Sequence, residues 1–127
     1  MKNIIIGLIV ITVFSCNQSD TKKSKMEQAK IIEMVLWKSK EGISKEDAKK
    51  AITKLNDFVK EQPGFVARKT AIAEDGRFLD IVYWTDITSA KIASEKAMES
   101  EVCKLAFSTI DEKEMTFLHF EMFNSFE

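Results

Sequence analysis

The chain predicts an α+β fold, a four-stranded antiparallel sheet with two helical segments on one face in split βαββαβ order. Three observations carry this. From Lys30 onward the apolar periodicity runs strand, helix, strand, strand, helix, strand. An Asp75-Gly76 pair between two strand-like runs marks a hairpin, which makes the central pair antiparallel. Both helical stretches follow a capping residue and carry one apolar stripe, so each covers a single sheet face.

Ile31 to Lys38 is dense in strand formers and short enough for a buried strand. Gly42 breaks the pattern, and Ser44 with Asp47 three residues on reads as a capping box with Asp in place of Glu or Gln. Ala48, Ile52, Leu55 and Val59 follow at helical spacing, until Pro63-Gly64 stops the helix. Phe65 to Ala73 is the second strand, Asp75-Gly76 a two-residue turn with positive φ at both positions, and Arg77 to Trp84 the third strand. Asp86 or Thr88 caps a second helix carrying Ala90, Ala93, Ala97 and Met98. Ser100 restarts it at an angle, with Val102, Leu105, Ala106 and Phe107 on the buried side. Met115 to Phe123 is the last strand, apolar on both faces except at His119 and Glu121.

Helices on one face leave the other uncovered, yet Leu36, Leu79, Ile81 and Tyr83 alternate with residues that are themselves largely apolar. A sheet apolar on both faces needs a second cover, and homodimerisation through the open face supplies it. Tyr83 and Trp37 are expected on that face or its rim.

The N-terminus carries a different signal. Lys2 precedes an apolar run from Ile4 to Phe14, about half the ~20 residues a membrane-spanning helix requires, which favours a cleaved secretory leader. The run closes at Ser15-Cys16 and resembles a bacterial lipoprotein signal. That resemblance makes residues 1–15 the leader and Cys16 the lipid attachment point. Residues 16–29 then form a polar, lysine-rich tether. Residues 30–127 form the one domain that roughly 110 remaining residues can build. The expected address is the cell envelope, at the outer membrane on its periplasmic or surface side, with the lipid anchor as the sole membrane contact. The 19 basic and 20 acidic residues nearly cancel and are spread out, so no nucleic-acid footprint appears. With two cysteines, one of them Cys16, Cys103 has no intrachain partner; with one histidine, a His/Cys metal site is not expected.

Pro63-Gly64-Phe65 after the first helix, Trp84 ending the third strand, and the Ala90/Ala93 helix restarted at Glu101-Val102-Cys103-Lys104 resemble the dimeric α+β-barrel proteins of ferredoxin-like fold. Within them, residues 31–123 are most similar to the antibiotic-biosynthesis-monooxygenase branch, which includes haem-degrading enzymes. The resemblance implies a dimer whose sheets close into a shared barrel, with pockets between sheet and helices. The haem-degrading members hold iron with a histidine where this chain has Phe107, and use a first-strand asparagine that Met34-Val35-Leu36 lacks. Phenylalanine has no lone pair for iron, so neither haem nor another cofactor is expected.

Other members oxidise aromatic substrates without metal or flavin, and that is the activity the resemblance implies for a small apolar or aromatic ligand. Trp84 and Phe107 would then be pocket walls. His119 is the candidate base because imidazole titrates near neutrality. Its alternative is a structural histidine hydrogen-bonded near Glu121 or Glu33. Asp80 is a charge inside an apolar strand, costly to bury alone; it is either paired with Arg68 or Lys69, or a polar partner in the pocket. Cys103 reads as a buried thiol. The competing function is a non-catalytic envelope module of the same fold that binds a hydrophobic ligand or a partner.

Overall fold

The computed structural model describes residues 25–126. The leader, Cys16 and the tether up to residue 24 lie outside them. Four strands, β1 (Ile31–Trp37), β2 (Phe65–Ile72), β3 (Phe78–Trp84) and β4 (Thr116–Glu121), form one sheet in the order β2-β3-β1-β4, antiparallel throughout. Helices α1 (Lys45–Thr53), α2 (Leu55–Val59), α3 (Ile87–Glu99) and α4 (Glu101–Phe107) connect them. This is the ferredoxin-like α+β architecture, with the helices on one side.

The capping chemistry places the helices. Ser44 accepts from the Asp47 amide, Asp86 from Ser89 and Ser100 from Cys103, each satisfying an amide that the first turn leaves free. The first helical stretch breaks at Lys54 into α1 and α2, yet Ala48, Ile52, Leu55 and Val59 all stay buried. Gly64 ends that stretch at φ +82, and a Cβ there would lie 2.5 Å from the Ser89 side chain. Only glycine lets β2 start this close to α3.

Strand parity sorts the side chains. Ile31, Glu33, Val35 and Trp37 of β1 face the helices together with Phe78, Asp80, Val82 and Trp84 of β3. Ile32, Met34 and Leu36 take the opposite face with Leu79, Ile81 and Tyr83, extended by Leu118 and Phe120 of β4. That outer face is apolar, and the described residues leave it uncovered.

The hydrophobic core is in two clusters. One is built around Trp37, stacked on Phe78 with ring centroids 4.2 Å apart, and includes Ile52, Leu55, Cys103, Ala106 and Ile110. The other surrounds Trp84 with Ile31, Val59, Val82, Ala90 and Ala93, and Phe58 packs against both.

Several sequence expectations are corrected. The hairpin loop has three residues, Glu74-Asp75-Gly76, because Ala73 pairs with Arg77 and the Gly76 amide bonds the Ala73 carbonyl. Positive φ falls on Gly76 alone; Asp75 avoids it, as a residue with a Cβ prefers. Trp37 is buried in the core rather than at the rim. Ser100 is extended, which resets the helical phase, so α4 buries Cys103 and Ala106 while Val102 and Leu105 face outward. Met98 is exposed. The last strand ends at Glu121, leaving Phe123 in solvent. Ala29, the last residue of the expected tether, is buried, and the amide of Lys30 beside it bonds the Trp84 carbonyl.

Candidate functional site

Between sheet and helices lies a cavity of about 380 Å³, within the range of ~300–1,000 Å³ common for small-molecule sites. Both core clusters contribute to its wall: Leu55, Phe58, Cys103 and Ile110 from one, Val59, Val82, Trp84 and Ala93 from the other. Phe107, Met98, Met115 and Phe117 also line it, the last three being exposed at its edge.

Few polar groups interrupt this apolar lining, and the sheet supplies most of them. Glu33 projects from the centre of β1, opposite Val82 on one side and His119 on the other. Its Oε2 lies 2.8 Å from His119 Nε2 and 3.1 Å from Ser94 Oγ. The Ser94 hydroxyl is also 3.0 Å from the Ala90 carbonyl, so its one proton is shared between two acceptors. Oε1 of Glu33 makes no hydrogen bond to the described residues and is not fully buried. Burial pushes the Glu33 carboxyl above the usual carboxylate range; His119 and Ser94 pull it back, and the nearby Asp80 charge adds to the rise.

Asp80 is satisfied differently. Arg68 donates to it twice, Nε to Oδ1 at 3.0 Å and an Nη to Oδ2 at 2.6 Å, with both side chains nearly out of solvent. The other Nη of Arg68 reaches the Ile52 carbonyl at 3.0 Å and Asn56 Oδ1 at 2.8 Å, where α1 gives way to α2. The pair thus ties β2, β3 and the helix break together. Trp84 is 1% exposed, and its indole N–H is a buried donor with no partner among the described residues.

Of the residues singled out by sequence, Trp84, Phe107 and Asp80 line the cavity together. His119 does not line it. It stands beside Glu33 on the neighbouring strand, its ring edge-on to Phe117 with centroids 5.0 Å apart. The Cys103 thiol is buried in the wall, and burial pushes its pKa up, which suits an unreactive side chain. Glu33 itself was weighed only as a neighbour of His119. The signal was present: like Asp80, it is a carboxylate in an otherwise apolar strand. Among the described residues no group of His, Cys, Asp and Glu has metal-binding geometry, and no helix is long and apolar enough to cross a membrane.

No protein-family model and no curated protein matches the sequence. Solved structures do match the fold. SnoaB, a cofactor-independent oxygenase from Streptomyces nogalater, is 16% identical with a TM-score of 0.62, covering 76% of this chain and 97% of its own. The monooxygenase from the gene ActVA-Orf6 of Streptomyces coelicolor, in complex with Nanaomycin D, is 11% identical with a TM-score of 0.59, covering 80% and 94%. A dimeric ferredoxin-like protein of unknown function from Thermobifida fusca is 9% identical with a TM-score of 0.59, covering 74% and 92%. At these identities the likeness establishes the fold.

Proposed function

We propose that the chain is a cofactor-independent monooxygenase resembling the antibiotic-biosynthesis branch of its fold, acting on a small aromatic molecule. The observation that carries this is the cavity: apolar walls around the Glu33 carboxylate, whose Oε1 no described residue engages. Such a site can bind a flat hydrophobic ring and remove a proton. An activated ring methylene that loses a proton becomes electron-rich enough to react with dioxygen directly. One oxygen atom ends in the new carbonyl and the other in water (CH₂ + O₂ → C=O + H₂O), so the substrate is its own reductant. Trp84 and Phe107 are walls, and the hydrogen-bonded Glu33–His119 pair is the proton acceptor. Asp80, engaged at both oxygens by Arg68, holds the cavity wall.

The working form is a homodimer closed over the outer sheet faces, held at the cell envelope by lipid on Cys16. Replacing Cys16 with serine is expected to move the protein from the membrane to the soluble fraction; a Cys16→Ser protein still sedimenting with membranes refutes the anchor. Oxygen uptake with 1,8-dihydroxyanthrone tests the chemistry. The expected result is stoichiometric dioxygen consumption with carbonyl formation. Binding of the anthrone without turnover would favour a ligand-binding module.

A further inference from the structure

We propose that Glu33, through the Oε1 that no described residue engages, is the group that receives the proton of a ligand hydroxyl, with His119 and Ser94 as positioning residues. This rests on the oxygenation reading and deepens it: the activated methylene of that reading reacts as its enol tautomer, and the enol hydroxyl is the one whose proton Glu33 takes. The geometry sorts the three roles. His119, the obvious base by residue type, is absent from the cavity lining and spends Nε2 on Glu33 Oε2 at 2.8 Å. Ser94 reaches the same oxygen from α3 at 3.1 Å. With Oε2 held from both sides, the carboxyl plane is set and Oε1 is left as the open acceptor.

The ionisable surroundings are compatible with proton transfer. Glu33 meets His119 from β4 and Asp80 from β3, the latter paired with Arg68 from β2; the helix side contributes the uncharged Ser94. Burial holds the Glu33 carboxyl above its ordinary range, which makes the carboxylate a stronger base than one in water. In the step itself, the ligand O–H bond breaks, the proton goes to Oε1, and the electron pair stays on the ligand oxygen as a phenolate. The neutral carboxyl that results then donates a hydrogen bond to that oxygen.

Paired probes test this, 1-naphthol and its methyl ether 1-methoxynaphthalene, with binding read from the quenching of tryptophan fluorescence as pH is varied. The wild-type protein is expected to prefer the naphthol by about tenfold at neutral pH, because the ether has no donor for the carboxylate and a hydrogen bond to a charged group is worth at least about that factor. The preference should fade as acid protonates Glu33. Glu33→Gln should bind the ether normally, lose most of the preference and show no pH dependence. His119→Phe and Ser94→Ala should keep the preference but show it only at higher pH, since both side chains lower the Glu33 pKa. A Glu33→Gln protein with the wild-type preference and profile overturns the proposal, as does loss of the preference in His119→Phe alone. Oxygen uptake with 1,8-dihydroxyanthrone separates the two levels. Wild-type turnover with kcat unchanged in Glu33→Gln sinks the role of Glu33 and spares oxygenation; a fall of about a hundredfold supports it. Absence of wild-type turnover, with the Glu33-dependent preference intact, sinks oxygenation and spares Glu33 as the acceptor.

Discussion

Replacing Arg68 with methionine should be the most damaging single change in the sheet. The methionine fills most of the volume but withdraws both donors from Asp80 and a third from the Ile52 carbonyl and Asn56. The pair is deeply buried, at 4% and 11% side-chain exposure, so water does not readily replace the guanidinium. Removing one partner of such a pair costs about 3–5 kcal/mol, most of it from the charge left behind. Against a total stability of ~5–15 kcal/mol for a domain this size, that is a fifth or more of what holds the fold. Urea unfolding followed by circular dichroism reads the effect directly. With a slope of ~1–3 kcal/mol/M, the midpoint should fall by about 2 M. The double variant Arg68→Met with Asp80→Leu should recover most of the loss, because an apolar pair of similar volume is near neutral in such sites. An Arg68→Met protein within about 1 kcal/mol of wild type would refute the reasoning, showing that Asp80 finds another partner or water.

Glu33 gives a pH signature of stability. Its carboxyl is raised by burial above the ordinary 4.5, so the folded state holds its proton to higher pH than the unfolded chain does. Its contribution is therefore full below the unfolded pKa and lost as pH rises through the folded one; urea midpoints should decline across that window in wild type and stay flat there in Glu33→Gln. Gly64→Ala places a methyl group 2.5 Å from Ser89 at φ +82; the left-handed conformation alone costs ~1–2 kcal/mol, and a melting temperature unchanged from wild type would contradict the packing. Ile81→Lys puts a charge in the centre of the outer face. Analytical ultracentrifugation should show a dimer for wild type and a monomer with unchanged circular dichroism for the variant, and a persistent dimer would move the interface elsewhere.

Local chemistry made the elements legible. Ser44, Asp86 and Ser100 each cap the helix that follows, and the two-sided apolar pattern marks the open sheet face. What escaped depended on relations between elements. Trp37 was misplaced although parity with Leu36 already put it on the opposite face, the one that packs on Phe78. The inward stripe of α4 was out of phase because the extended Ser100 breaks the helical count, and no composition rule supplies the new angle. The hairpin gained Glu74 because a type I turn followed by one left-handed glycine suits Asp75 better than two positive φ values. In the cavity, Trp84, Phe107 and Asp80 were visible as outliers of type or position. Glu33 escapes notice because the residue-type argument for a neutral-pH base points to histidine, whereas which of the two bonded groups lines the cavity is decided by packing between elements.

The division of the interior into two clusters around Trp37 and Trp84, with the cavity walled by both, has a practical consequence. A molecule that fills the gap acts as a missing piece of core, so it should reveal itself thermally whether or not it is ever transformed. At a hundredfold excess over its dissociation constant, occupancy adds about 2.7 kcal/mol. In a domain of this size each kcal/mol moves the midpoint by ~4–8 °C. A melting screen across a metabolite library can therefore find the natural occupant without a guess about the reaction.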